Sequence, residues 1–217
     1  TGALTISYNG VGDQTHVQVV GDDNSVIVGH AGVGNLSLQN GFMTSNGDNA
    51  RLLVGNQAGS EGSMLLNGSQ ASFYMDGNDS RMGVGVEGEG SLTLVNGGVV
   101  SLGGSGNIFS LGVEASGIGE MLIDGPSALG VNGSVRIGNW GTGNATVSGG
   151  GSLSADSENF DDIRIGNHEG SNGTLTAVGT SLAEQALITT GGTDNTIQVG
   201  WAGTGVFNVQ EFAQVRT

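Results

Sequence analysis

The stretch Met82-Gly83-Val84-Gly85-Val86-Glu87-Gly88-Glu89-Gly90-Ser91-Leu92-Thr93-Leu94 decides the fold. It holds two short alternating segments joined at Gly85. Met82 and Val84 are apolar with Gly83 between them, and Leu92 and Leu94 are apolar with Thr93 between them. Alternation with period two, one side always apolar, is the pattern of a half-buried strand. Glycine at the joint supplies a turn that other residues resist.

The same pattern recurs outward from this stretch in both directions. An apolar residue followed by glycine appears at Gly29, Gly55, Gly85, Gly112, Gly138, Gly166 and Gly200, at spacings of 26, 30, 27, 26, 28 and 34 residues. Three residues before these anchors stand Val26, Leu52, Met82, Phe109, Val135, Ile163 and Ile197. One residue before them stand Val28, Val54, Val84, Leu111, Ile137, Ile165 and Val199. The residue between varies freely and includes Arg136 and Arg164 in consecutive repeats. A second strand follows each anchor, with inward pairs Leu36/Leu38, Met64/Leu66, Leu92/Leu94, Met121/Ile123, Ala145/Val147, Leu175/Ala177 and Phe207/Val209. A third, less regular strand follows that one, as in Val99–Leu102 and Ser152–Ala155. Helical periodicity is missing; 181–188 makes one turn at most.

The distance from anchor to second strand alternates strictly: 7, 9, 7, 9, 7, 9, 7 residues. The repeating unit is therefore a pair of coils. Periods of this size mark a solenoid, in which no coil buries its apolar face alone and stacking makes the core. The expected fold is all-β: a parallel β-helix, right-handed by the usual crossover rule, with about eight coils of 26–34 residues and three short strands per coil. At ~4.8 Å per coil the rod is on the order of 40 Å long. Residues 1–217 are expected to form a single segment of this kind, cut from a longer repetitive protein.

Composition agrees. Glycine supplies 44 of 217 residues and proline one, Pro126. This suits many tight turns rather than collagen or a disordered Pro/Gly tract. The formal charge is −15 with no lysine, which argues against nucleic acid and anionic membrane surfaces as partners. Cysteine is absent, so disulfides and thiolate zinc sites are ruled out, as suits a chain exported unfolded. No apolar run approaches the ~18 residues of a membrane helix.

The coil running from Val84 through Gly85, Gly88, Gly90, Leu92, Thr93, Leu94, Asn96 and Gly97 to Val99 resembles one half of the repeat associated with type V secretion and PEP-CTERM proteins. The coil Ile165-Gly166-Asn167-His168-Glu169-Gly170-Ser171-Asn172-Gly173-Thr174-Leu175-Thr176 resembles the other half. The resemblance covers roughly 26–209. It implies a passenger region of an autotransporter or two-partner-secreted, filamentous-haemagglutinin-like biofilm adhesin: secreted or anchored at the outer membrane, a structural and adhesive rod. Exopolysaccharide or neighbouring adhesin copies are the implied partners. In the third strand of the second coil type, Phe73 fills the family's aromatic position, and Leu129 or Val131 and Leu182 stand there in later coils.

Several residues invite a sharper reading. An Asn/Asp column precedes each anchor strand: Asp23-Asn24, Asp48-Asn49, Asn78-Asp79, Asn107, Asn132, Asp161-Asp162 and Asp194-Asn195. A recurring turn with left-handed Asn or Asp accounts for it. The alternative is calcium, for which Asp22, Asp23, Asp76, Asp79, Asp161 and Asp162 offer hard oxygen ligands. No other cofactor is expected. Trp140 and Trp201, just after anchors in short linkers, either stack on sugar rings or cover a coil corner. Arg136 and Arg164, near Asp161 and Asp162 in sequence, are the one grouping that would suit a carbohydrate-active enzyme such as a polysaccharide lyase or hydrolase. The reading favoured is two exposed arginines and no catalysis. His16, His30 and His168 are expected to be solvated. A pure spacer or self-assembling filament module is the remaining alternative.

Overall fold

A computed structural model describes residues 2–7, 15–157, 162–192 and 195–217; in 6–7 only the backbone is described. Every paired strand in it is parallel, and no helix occurs among the described residues. One sheet stacks eight strands: Gly2–Ser7, Val33–Gln39, Glu61–Asn67, Glu89–Val95, Ile118–Ile123, Thr142–Ser148, Asn172–Gly179 and Thr204–Glu211. A second, thirteen-stranded sheet carries both the third strands and the anchor strands. With seven anchors, the chain makes about seven turns. Coils are numbered here 1 to 7 by their anchor, Gly29 to Gly200.

Three strands per coil hold in most coils. In two places the third strand runs on into the next anchor strand, giving Val99–Leu111 and Ala128–Ile137, with an irregularity between Leu102 and Asn107. The inward residues stack column on column. Leu36, Met64, Leu92, Met121, Ala145, Leu175 and Phe207 face one another in register, as do Leu52, Met82, Phe109, Val135, Ile163 and Ile197. Most are wholly buried. The exceptions lie at the end coils. Val199 and Val209 are exposed because their strands have a neighbour on one side only.

The third-strand core column is Met43, Phe73, Val100, Leu129, Leu153 and Ile188. Phe73 and Leu129 take the expected place. Leu182 does not: it is 77% exposed in a bend, and Ile188 fills the core position instead. The extra residues at 180–186 form this bend, so the alternation resumes only at Leu187.

The anchor glycines all adopt left-handed backbone, with φ between 61° and 73°. A Cβ on Gly85 would sit 2.1 Å from the Ile118 carbonyl oxygen of the next coil. Glycine is thus required there twice, by dihedral and by space. The two linker lengths also have separate structures. Each long linker closes a turn, as where the Ser60 amide donates to the Gln57 carbonyl at 2.9 Å. The glycine of the following short linker nests against that turn. A Cβ on Gly88 would meet the Ser60 and Gln57 carbonyls at 2.4 and 2.5 Å, and one on Gly141 would meet Glu114 and Gly117 carbonyls, both at 2.3 Å. Coils 2 and 3, 4 and 5, and 6 and 7 are joined by this nesting, and Gly117 in the long linker of coil 4 in turn closes on coil 3, where a Cβ would meet the Gly85 and Val86 carbonyls at 2.2 and 2.4 Å.

Candidate functional site

In coils 1 to 3 the Asn/Asp column forms the turn before the anchor strand, whereas Asn107 and Asn132 lie inside the continuous strands Val99–Leu111 and Ala128–Ile137. Asp23, Asn49 and Asp79 have φ of 56°, 57° and 53°. Their amides donate to the carbonyls of Asp48, Asn78 and Ser105 in the next coil, each at 2.9 Å. The preceding side chains cap the same turns. Asp22 Oδ1 accepts from the Asp48 amide at 3.1 Å, Asp48 Oδ1 from the Asn78 amide at 2.8 Å, and Asn78 Oδ1 from the Ser105 amide at 3.0 Å. The result is a side-chain ladder running from coil to coil on the outside of the rod.

Asp162 does a related job in the interior. It is fully buried, and its two carboxylate oxygens accept from the amides of Ser157 at 2.8 Å and Thr196 at 2.7 Å. Asp76 is exposed. Asp161 and Asp194 lie outside the described residues. Among the described residues no three His, Asp or Glu side chains converge as a metal would need. Asp22 and Asp162 are committed to backbone amides.

The sequence-predicted tryptophans belong to a cluster at the corner after the anchors of coils 5 to 7. The linkers stack in register here: the Asn167 amide donates to the Gly138 carbonyl at 2.9 Å and the His168 amide to the Asn139 carbonyl at 3.1 Å. That register lays the His168 ring flat on Trp140, with centroids 3.6 Å apart and planes 6° from parallel. Beneath the rings, Asn167 Nδ2 donates to Asn139 Oδ1 at 2.9 Å. Arg136 and Arg164 are direct register partners on the adjoining strands. The Arg164 guanidinium lies over the Trp201 ring, 5.0 Å from its centroid, and donates to Gln198 Oε1 and Asn167 Oδ1. Burial, then the charges of Arg136 and Arg164, hold the His168 pKa below its ordinary value.

Trp140 remains 47% exposed and Trp201 60% exposed. A ring with one face covered shows that much surface only if its other face and edge meet solvent. Each tryptophan therefore packs a corner through one face and leaves the rest of its ring to solvent. Sequence reading missed His168, taken for a solvated loop residue. The signal was there, since Trp140 and His168 each stand two residues after an anchor in consecutive coils. His30 is likewise engaged, within 2.8 Å of Asn56 Nδ2, and His16 stacks on Phe42 at 4.0 Å.

The same corner changes character toward coils 2 to 4. Glu61, Glu87, Glu89, Glu114 and Glu120 are all exposed, and Glu61 stands directly opposite Glu89 in the ladder. A groove of about 260 Å³ is lined by Glu61, Glu89 and Glu120 together with Ile118. The arrangement offers aromatic faces and cations at one end, carboxylates at the other.

No family model and no curated protein matches this chain. Among solved structures it is similar, at 16% identity over 100% of both chains, to the crystal structure of a TibC-catalyzed hyper-glycosylated TibA55-350 fragment. The TM-score of 0.16 is too low for that likeness to bear on fold or function.

Proposed function

We propose that the chain is a structural and adhesive rod of a secreted or surface-anchored bacterial protein, supporting attachment of cells to one another or to matrix exopolysaccharide, with no catalytic activity of its own. The observation that carries the reading is the unbroken parallel ladder with a partly exposed aromatic corner on it. Eight strands of one sheet pair without interruption, so stiffness is supplied by every coil, while Trp140 and Trp201 leave ring surface to solvent. Aromatic rings of this kind suit the apolar faces of sugars. The resemblance of the repeat to that of type V secretion and PEP-CTERM proteins supports export to the cell surface, as does a chain without cysteine. The strong negative charge keeps such a rod dispersed.

The test is binding of the purified chain to a panel of bacterial exopolysaccharides, with and without calcium, read by tryptophan fluorescence. Saturable binding that Trp140→Ala or Trp201→Ala weakens is the expected result. No binding to any polymer under either condition would reduce the chain to a spacer.

A further inference from the structure

Of the chain's five arginines, Arg136, Arg164 and Arg216 interact with other groups of the chain. Arg51 and Arg81 differ. They stand directly opposite one another on the anchor strands of coils 2 and 3, and both side chains are exposed. Neither guanidinium has a hydrogen bond or ion pair among the described residues. The carboxylates of the preceding turns are directed along the ladder instead. Asp48 Oδ1 accepts from the Asn78 amide at 2.8 Å, and Asp79 Oδ1 reaches coil 4, 2.6 Å from where a Cβ on Gly106 would lie. Adjacent strands are about 4.8 Å apart, so the two cations repel each other within the chain. An anion held between them removes that repulsion.

Beside the pair the surface is apolar. Two residues on along the same strands, on the same outward side, stand Leu53 and Gly83, with Ile27 next to Leu53 in the ladder from coil 1. Because Gly83 has no side chain, Leu53, Val86 and Val113 close over it; a Cβ there would lie 3.7, 3.2 and 3.0 Å from their methyl groups. Ile27 is 42% exposed, and the other three are half-buried. The linkers are fixed by backbone bonds: the Val86 amide donates to the Gly55 carbonyl and the Val113 amide to the Gly85 carbonyl, both at 2.9 Å. The patch is therefore rigid as well as apolar.

We infer that Arg51 and Arg81 bind the carboxylate of a uronic acid in an acidic exopolysaccharide, with the C–H face of the sugar ring on Leu53, Val86 and Val113. The planar guanidinium fork matches a carboxylate in bidentate fashion. Leu53 shares its outward column with Arg164, the residue that lies over Trp201. A polymer laid along the rod can thus reach this patch and the tryptophan corner together. Carboxylates flank the patch, Asp79 before Arg81 and Glu87 and Glu114 just beyond Val86 and Val113. A glycan with one acid per repeat suits it better than one charged at every sugar. The charge of −15 repels any polyanion at long range, but the screening length at physiological ionic strength is about 8 Å, so the local pairing governs. The inference rests on the adhesive reading and names the class of glycan.

The test uses the full chain and an immobilised polymer of alternating glucuronate and N-acetylglucosamine. The comparison is the same polymer with its carboxylates reduced to alcohols. Both are measured at physiological salt with a chelator present, which removes calcium bridges between an acidic rod and an acidic polymer. Wild type is expected to bind the acidic form at least about tenfold more tightly. R51Q/R81Q is expected to lose that preference and to bind both forms as wild type binds the reduced one. Circular dichroism checks that the variant keeps its strands; if it fails to fold, R81Q alone, which breaks the pair, takes its place. A wild type that binds the acidic form no better than the reduced one, including by binding neither, overturns the inference. So does a preference that persists in the folded variant. Equal binding to the two forms removes the arginine site and leaves adhesion standing, whereas binding to no polymer of any kind removes both.

Discussion

The imidazole of His168 lies flat on the indole of Trp140, with 3.6 Å between centroids. The contact joins two coils through side chains alone, on top of the backbone bonds that already stack their linkers. It also puts a titratable ring where charge is unwelcome. Burial disfavours the imidazolium, and Arg136 and Arg164 repel it, so the folded pKa falls below the ordinary 6.5.

Stability should therefore depend on pH through this ring. The unfolded chain takes up a proton near 6.5 and the folded chain only at lower pH. Stability is thus fully present above about 6.5 and declines as pH falls through the folded value. The expected outcome is that the melting temperatures of wild type and His168→Gln differ by a constant amount above pH 7. Between pH 6.5 and 5, wild type should lose ground relative to the variant. A difference that stays flat across this range would show that the ring titrates as a solvated one.

Asp162 gives a prediction about the interior. Its carboxylate is the acceptor for two backbone amides, those of Ser157 and Thr196. Asp162→Ala orphans both, at about 3 kcal/mol in all. Asp162→Asn should cost nearly as much, because its amide turns a donor toward one of the two donors. Asp76→Ala, at an exposed position, should stay within about 0.5 kcal/mol of wild type. Urea unfolding of the three variants measures the differences. Equal midpoints for Asp76→Ala and Asp162→Ala would mean that the buried carboxylate adds nothing by accepting from the Ser157 and Thr196 amides.

The fold was legible because the core columns repeat. Each of the seven inward residues from Val26 to Ile197 is predictable from its neighbours in other coils, and stacking rewards the same apolar choice each time. The two-coil unit was legible from linker lengths alone, whereas the nesting of a short-linker glycine under a turn of the previous coil is a close approach to backbone carbonyls that the glycine's own side chain does not announce. The corner cluster was only half legible. Trp140 and Trp201 stand out by type, whereas the role of His168 depends on which ring lies in the coil beside it. Leu182 misled for the opposite reason: an apolar residue in a stretch of irregular length has no register to place it, and the bend there turns it outward.

The coil-pair interlock can be tested at single atoms. Gly141 and Gly32 occupy the same place in their short linkers, and neither needs a positive φ. A Cβ at 141 would strike two carbonyls of the preceding long linker, whereas at 32 nothing lies within 4 Å. Gly141→Ala should cost about 1–3 kcal/mol through overpacking against backbone. Gly32→Ala should be neutral or stabilising by up to about 1 kcal/mol, since it restricts the unfolded chain. Denaturant midpoints of the two variants decide the matter, and similar losses at both would remove the nesting explanation.

Deleting whole coils extends the same logic. Removing residues 86–138 joins Gly85 to Asn139 and takes out a full pair, so short and long linkers still alternate from coil to coil. Every remaining short-linker glycine that nested under a turn still has one: Gly141 now follows the long linker of coil 2. Removing 56–85 instead joins Gly55 to Val86 and sets two short linkers in succession. Gly88 then has no turn above it, and the corner loses the carbonyls that enclosed its glycine. Both deletions shorten the core, which lowers stability in a solenoid because fewer interfaces remain. The pair deletion nonetheless removes more chain, so a rod indifferent to linker type would suffer more from it. The expected outcome is the reverse: the pair-deleted chain should unfold in one cooperative transition, and the single-coil deletion should melt earlier and over a broader range. A single-coil deletion that melts later than the pair deletion would show that coils stack one by one, with linker length a bystander.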